Sequence, residues 1–281
     1  LAAPVPSAEI KGSVVSGKTP LANVQVSDGR RVVLTDASGG FRLRVGPDSG
    51  PFVFVTTPSD HWTDSFYLPT SRALQKDPIF RLQPRQRDAS RRLVYMTDVH
   101  LGEGNANESY KRMRATIDEI NSLDPLPDAC WVGGDISLDH KSGPRYVDLV
   151  SRLKMPVRHS VGNHEFQLST GDPLGSFQKL FGPTHYSWNM AGVHCITLDG
   201  CFLDPIARER GLVIGRFGPR ELAWLAADLA TVPKNMTTVV AVHIPLHCNY
   251  PPRRGTTAEN SPQWIITNGD SAIDLLKQHD V

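Results

Sequence analysis

Five short apolar runs constrain this chain more than any other feature. They are Leu93 to Thr97, Ala129 to Gly133, Val157 to Val161, His194 to Leu198 and Thr238 to Val242. Helical periodicity separates them, at Met113, Ile117 and Ile120 and again at Tyr146, Leu149, Val150 and Leu153. Pro219 stands at a first-turn position for a helix through Leu222, Leu225 and Leu229. Asp270 or Ser271 is placed to cap a last helix through Ile273 and Leu276. Strands alternating with helices must cover both sheet faces, so the stretch predicts a layered α/β domain flanked by helices.

The ends of these runs share a chemistry. "YMTDVHLG" delivers Asp98 and His100, "WVGGD" delivers Asp135, "SVGNHE" delivers Asn163 and His164, and "TTVVAVH" delivers His243. In open α/β sheets, sites form outside the carboxyl ends of strands, so residues this far apart in the chain can converge. A carboxylate can bridge two cations, imidazole supplies a neutral nitrogen, and Asn a carbonyl oxygen. Mixed N and O ligation without thiolate suits a pair of divalent metals, Mn, Fe or Zn, better than a calcium cage. Gly133, Gly134 and Gly162 are expected to permit the backbone angles that turn a strand into a ligand. One such Asp or His alone is more often a loop cap or a satisfied core residue; the recurrence at four strand ends points to a metal centre.

The N-terminal stretch follows another grammar. Residues 9–83 show period-two alternation at Val24 and Val26, at Val33, and at Phe41, Leu43 and Val45. Asp28-Gly29, Asp36 and Gly39-Gly40 separate these runs as turns. The stretch predicts a small all-β sandwich domain. The features "PLANVQVSDG" and "TDASGGFRL" resemble the carboxypeptidase-regulatory-like, or prealbumin-like, sandwich that precedes some bacterial phosphoesterases. Residues 84–91, polar and basic, read as a solvated linker, leaving 92–281 as the α/β domain.

Composition removes some function classes. A net charge of +1 gives no signal for nucleic acid or an anionic membrane. No run of about 18 apolar residues is present, so no transmembrane helix is expected. "LAAPVPSAE" is consistent with a mature N-terminus after signal cleavage, hence a periplasmic or secreted location, with the cytoplasm left open. Cys130 and Cys195 are expected in the core. Cys201 and Cys248 fall in expected loops, and the sequence leaves a disulfide between them open without supporting it.

Taken together, Asp98-Val99-His100, Gly134-Asp135, Gly162-Asn163-His164-Glu165 and His243 after an apolar strand resemble the calcineurin-like metallophosphoesterase superfamily. "LFGPTHYSW" and "VHCITLD" resemble its internal strands. The resemblance implies a layered β-sandwich flanked by helices and a dinuclear metal centre. It assigns Asp98 and His100 to one metal, Asp135 to both, and Asn163 and His243 to the other. His164 would donate a proton to the leaving alkoxide. The implied substrate is a phosphate mono- or diester, on a small molecule or linked to a glycan or lipid.

Two positions depart from that pattern. No Gly-His-x-His motif occurs, and the chain ends "KQHDV", so it is expected to be truncated before the strand carrying that motif and to bind metal weakly. Where relatives place an Asp three residues after the bridging Asp this chain has Leu138, with Asp139 one step further. Two alternatives stand beside the enzyme: a pseudoenzyme or binding module that keeps the fold, and a surface protein whose sandwich carries the function. Glu165 is expected to take a supporting or a loop role, with direct contact to a ligand as the alternative. His185, His159 and His194 are expected to be structural, and His140 exposed. His247, Asn105, Tyr250, Arg253 and Arg254 lie in loops that could reach the site.

Overall fold

The structure is a computed structural model, and it describes residues 7–85, 92–136, 142–257 and 260–281. The N-terminal part forms β1 (Ala8–Ser16), β2 (Thr19–Pro20), β3 (Gln25–Ser27), β4 (Val32–Leu34), β5 (Gly40–Val45), β6 (Phe52–Val55), β7 (His61–Trp62), β8 (Tyr67–Pro69), a single helical turn α1 (Thr70–Ala73) and β9 (Ile79–Pro84). Strands β2-β1-β9-β7, with β5 on β1, make one sheet, and β4-β3-β6-β8 make a second. The alternation reads directly as facing: Phe41, Leu43 and Val45 of β5 are buried while Arg42 and Arg44 are exposed. Ile10 and Val14 from one sheet meet Val26, Val53 and Val55 from the other in one apolar cluster. β9 runs through Pro84, and Arg85 is tied by its backbone N–H to the Asp60 carbonyl and by its guanidinium to Asp128. The expected solvated linker is therefore anchored at its start; residues 86–91 lie outside the described residues.

The second part begins with β10 (Leu93–Met96), α2 (Ala106–Ser122), β11 (Ala129–Val132), α3 (Ser142–Val150) and β12 (Val157–His159), then α4 (Gly175–Phe181). It continues through β13 (Tyr186–Met190), β14 (Val193–Thr197), β15 (Cys201–Phe202), α5 (Pro205–Glu209), β16 (Ile214–Gly215), α6 (Pro219–Leu229), β17 (Thr237–Ala241), α7 (Tyr250–Arg253) and α8 (Gly269–Gln278). All five predicted strands are present, shifted by a residue or two. They fall into two sheets: β10-β11-β12, all parallel, and β13-β14-β17, in which β14 and β17 are parallel. The period of two in β11 sets the layers. Cys130 and Val132 face Met113 and Ile117 of α2 and Tyr146 and Leu149 of α3. Ala129 and Trp131 face the other way, toward the second sheet, where Trp131 meets Trp188 edge-on at 5.6 Å. Helices α6 and α8 bury Trp224, Leu225, Ala272 and Leu276 in the same cluster. The fold is the layered α/β sandwich expected.

Two local expectations need correction. Neither Asp270 nor Ser271 caps α8; the N-cap is Asn268, whose side chain instead brackets the backbone of Phe217. Leu153 lies beyond α3, in the turn that follows it, although it stays buried against α2 and α3. Cys130, Cys195 and Cys201 are buried free thiols, and Cys248 is a half-buried one, so Cys201 and Cys248 are not bridged. No described helix is long and apolar enough to cross a membrane.

Candidate metal centre

Three of the four ligand-bearing ends belong to the β10-β11-β12 sheet, and the fourth comes from β17 of the second sheet. The site therefore spans the two layers at their common carboxyl edge. The chain reaches it through strained backbone. Asp98, His100 and Asp135 adopt φ of 55°, 43° and 51°. These are three of the six non-glycine residues with positive φ among the described residues. Such conformations persist where the surroundings over-determine them, and they concentrate at functional sites. Here the surroundings are hydrogen bonds between the loops: Asp98 N–H to the Gly134 carbonyl at 3.1 Å and His100 N–H to the Asp135 carbonyl at 2.9 Å.

The glycines act differently from expectation. Gly134 does use the left-handed region, with φ of 99°. Gly162 does not; it is required for space, because a Cβ there would lie 2.3 Å from Asp135 Oδ1. Gly133 likewise makes room, for the Tyr95 hydroxyl. Two of the three glycines thus serve close approach and not turning.

Asp135 is the hub. Its side chain is buried, and Oδ1 accepts the His164 backbone N–H at 2.9 Å. Three imidazoles bring Nε2 to its other oxygen, Oδ2: His243 at 3.2 Å, His100 at 3.6 Å and His164 at 3.9 Å. Asp98 Oδ1 is 3.8 Å from His100 Nε2, and Asp98 Oδ2 accepts the Thr97 hydroxyl at 2.7 Å. Two overlapping clusters result. His100, Asp135 and His164 form one, and Asp98, Asp135 and His243 the other, with ligand atoms in each within 4.8 Å of one another. Asp135 is common to both, as a bridging carboxylate must be. Asp98 also neighbours His100, the pair that the resemblance assigns to one metal. Asn163 is half-buried and opens the single 3-10 turn Asn163–Glu165.

The donors fit a cation. His243 Nδ1 faces the Gly133 carbonyl at 3.0 Å, and a carbonyl only accepts, so the ring proton sits on Nδ1. In the neutral ring, Nε2 then turns a lone pair toward the Asp135 carboxylate. Two acceptors face to face at 3.2 Å need positive charge between them. A proton is one answer. Burial works against charging His243, but its contacts with Asp135 outweigh that and hold its pKa above the ordinary imidazole value. His100 is raised in the same way, burial being overcome by Glu103, Asp135 and Asp98. Burial pushes the Asp135 carboxyl up, and the His243 contact and the His164 N–H more than offset it, so its pKa falls. A divalent metal is the other answer, and the set of imidazole and carboxylate donors without thiolate suits Mn, Fe or Zn.

Glu165 supports the site from behind, as expected. It is buried and accepts three backbone N–H groups: Asp135 and Gly162 on Oε2, at 2.9 and 2.7 Å, and Ile136 on Oε1 at 2.7 Å. Glu103 is the residue that sequence reasoning missed. It stands three positions after His100 in the turn Gly102-Glu103-Gly104, and flanking glycines with positive φ fold it back onto the site. That spacing was the available signal.

The other candidate histidines among the described residues enter neither cluster, and the remaining candidates make contacts of their own. His185 is buried with Nε2 on the Gly29 carbonyl, and burial lowers its pKa to about 4. His159 is stacked on Phe181, faces the Tyr146 hydroxyl at 3.0 Å, and burial lowers its pKa to about 3. His194 lies between Asn189 and Asp228. Asn105 caps α2. His247 is exposed and enters neither cluster. Tyr250 packs against Trp264, with Arg254 over the Tyr250 ring. Leu138, Asp139 and His140 lie outside the described residues.

The family model for the N terminal of calcineurin-like phosphoesterase matches residues 8–85, and the calcineurin-like phosphoesterase model matches residues 91–274. A probable cyclic nucleotide phosphodiesterase from Rhodococcus erythropolis is 26% identical over 164 residues, 54% of this chain and 52% of that protein. The chain thus matches about half the length of that curated relative. Among solved structures, the phosphopantetheinyl hydrolase of Mycobacterium tuberculosis aligns over 68% of this chain and 80% of its own, at 20% identity and a TM-score of 0.43. A purple acid phosphatase from yellow lupin seeds aligns over 99% of this chain and 52% of its own, at 14% identity and a TM-score of 0.47. The family expected from the strand-end motifs is the family found, one of phosphoric-ester hydrolases that use a dinuclear metal centre. The chain belongs to the calcineurin-like phosphoesterase family.

Proposed function

We propose that this chain hydrolyses a phosphate mono- or diester at a dinuclear metal centre held by Asp98, His100, Asp135, Asn163 and His243, with His164 as proton donor. The observation that carries the reading is the convergence of three imidazole Nε2 atoms on Asp135 Oδ2, within 3.2 to 3.9 Å. When bound, paired divalent cations supply Lewis acidity that offsets charge gathering on the phosphoryl oxygens. The protein's share is to hold the ligands and move a proton. Gly133 and Asp135 fix His243 from its two nitrogens, and Glu165 pins the backbone of the Asp135 and Gly162 loops. The His164 side chain, at 43% exposure, is more open than those of His100 at 31% and His243 at 11%. Its Nε2 is also the farthest of the three from Asp135 Oδ2. A proton there is placed to leave with the departing alkoxide, a role worth roughly 10²–10⁴-fold in rate.

In this reading residues 9–83 are a supporting sandwich and 92–281 the catalytic domain. The probable cyclic nucleotide phosphodiesterase among its relatives makes a diester the first substrate class to test. The experiment measures metal content and turnover over a panel of phosphate mono- and diesters, for the wild type and Asp135→Asn. The expected result is metal uptake, weak in this chain, and hydrolysis of at least one ester, both lost in the variant. A chain that takes up no metal and hydrolyses nothing supports the pseudoenzyme alternative.

A further inference from the structure

We propose that Glu103 is a positioning residue, one carboxylate that sets the tautomer of two site histidines at once. Its Oε2 lies 3.0 Å from His100 Nδ1, and its Oε1 lies 3.2 Å from His164 Nδ1. The rings stand edge-to-face, at 88° with centroids 4.5 Å apart, and each meets a different oxygen of the fork. His100 Nδ1 is sealed from solvent and has no aligned hydrogen bond, so the Glu103 oxygen beside it is the acceptor within reach. The inference rests on the proposal that His100 and His164 serve a metal-dependent phosphoesterase.

The chemistry follows from what a carboxylate can do. Ionised, it accepts and does not donate, so each Nδ1 facing it carries the proton. The Nε2 atoms, aimed at Asp135 Oδ2, are then left with lone pairs while the rings are neutral. His100 is thereby presented as a ligand. For His164, the same contact keeps the Nδ1 proton in place while a proton on Nε2 is passed on. Partners of this kind fix ring orientation and ligand basicity in metal sites. The local chain explains how Glu103 gets there. Its N–H bonds back to the His100 carbonyl at 3.2 Å. The Ser109 hydroxyl of α2 holds the Gly102 N–H at 2.9 Å. Gly102 and Gly104, at φ of 91° and 60°, close the turn. The Glu103 side chain is 46% exposed, so the fold does not depend on burying it.

The test reads the tautomers by ¹⁵N NMR of the imidazoles, on metal-free protein at alkaline pH where the rings are neutral. In the wild type, His100 and His164 should both carry the proton on Nδ1. In Glu103→Ala both should move toward the Nε2–H form, with metal affinity falling 10–100-fold and the unfolding temperature unchanged. Glu103→Gln separates the two rings, because its carbonyl still accepts from one Nδ1 while its amide N–H₂ faces the other and moves only that proton. Wild-type rings already in the Nε2–H form, or Nδ1 protons unmoved in Glu103→Ala, would overturn the proposal. An unchanged metal affinity in Glu103→Ala would overturn it as well. Because the tautomers are read without metal or substrate, failure to hydrolyse any ester would count against the phosphoesterase reading and leave the NMR result standing.

Discussion

Glu165→Gln is the sharpest perturbation of the site that leaves its metal donors in place. The carboxylate accepts the Asp135 and Gly162 N–H groups on one oxygen and the Ile136 N–H on the other. Glutamine keeps a single acceptor. Placed to hold the first two, it turns its N–H₂ toward Ile136 and leaves a buried donor unsatisfied, which costs about 1–3 kcal/mol. The two remaining bonds lose their ionic character, at roughly 0.5–1 kcal/mol each. Against this, the variant removes a buried charge. Burial and the neighbouring Asp135 both disfavour ionised Glu165 and raise its pKa, partly offset by the backbone donors. The net loss should be about 2–3 kcal/mol, or roughly 3–5 °C in melting temperature for a chain of this size. Alanine would be less informative, because three orphaned N–H groups would cost roughly 3–9 kcal/mol, comparable to the whole stability of a protein. The same bonds hold Asp135 against Gly162, so metal affinity should fall by about 10–100-fold. Calorimetry of the metal-free protein and a metal titration measure the two effects separately. A variant that melts within about 1 °C of wild type and binds metal equally well would refute the assignment of Glu165 as the clamp between these loops.

Three further outcomes are expected. His164→Ala should retain its metals yet lose about 10²–10⁴-fold in hydrolysis of esters with poor leaving groups, and much less with activated aryl esters; equal losses across leaving groups would exclude His164 as proton donor. His185 and His159 are neutral when folded and take a proton near pH 6.5 when unfolded, so the stability they confer is full above about 6.5. It falls by about 1.4 kcal/mol per pH unit per ring as pH drops toward about 4 and about 3 respectively; His185→Gln should flatten this slope in urea unfolding between pH 7 and 5, and an unchanged slope would reject the attribution. Arg158 is buried between the rings of Trp62 and Phe66, 3.7 and 4.3 Å from their centroids, with Nη2 on the Thr63 carbonyl, so Arg158→Ala should cost roughly 2–4 kcal/mol and Arg158→Met less, read as denaturant midpoints.

Much of the fold was legible because the apolar runs are short and bounded by Asp, Gly or Pro, and the runs themselves became strands with ends shifted by a residue or two. Sheet membership was not. The runs ending at Asp98, Asp135, Asn163 and His243 look alike in sequence, yet the last belongs to another sheet, and only the pairing of β17 with β14 reveals it. The cap of α8 was misplaced because Asn268, Asp270 and Ser271 are all good capping types; Asn268 takes the position with its side chain on the Phe217 backbone, 51 residues away, and not on the helix. In the site, the residues that converge on Asp135 were readable at the strand ends, and the way their rings neighbour one another was not. Which imidazole neighbours which depends on loop geometry at Asp98, His100 and Asp135, where positive φ redirects each side chain. Glu103 was missed for a related reason: a single Glu in a glycine turn is ordinary until the turn is seen to close on His100 and His164.

The N-terminal sandwich was the least readable part, since its sequence shows its own strands and nothing of what they rest on. In the structure it shares one apolar cluster with the second part, through Phe54 on Trp224 and Phe66 on Tyr186. A buried polar network crosses the same boundary. Asp228 of α6 accepts from Gln25 and Ser187 and faces His194 at 2.7 Å, and the Thr56 and Ser187 hydroxyls meet at 2.7 Å. Buried polar groups are costly unless satisfied, and here Gln25 and Thr56 add to the partners that Asp228 and Ser187 find in their own part. Removing residues 9–83 would expose aromatic surface and take Gln25 from Asp228 and Thr56 from Ser187. That is hard to reconcile with a sandwich that works as an independent adhesive module. It favours a sandwich that completes the core behind β13 and β14, in the sheet whose third strand, β17, carries His243 to the candidate metal centre.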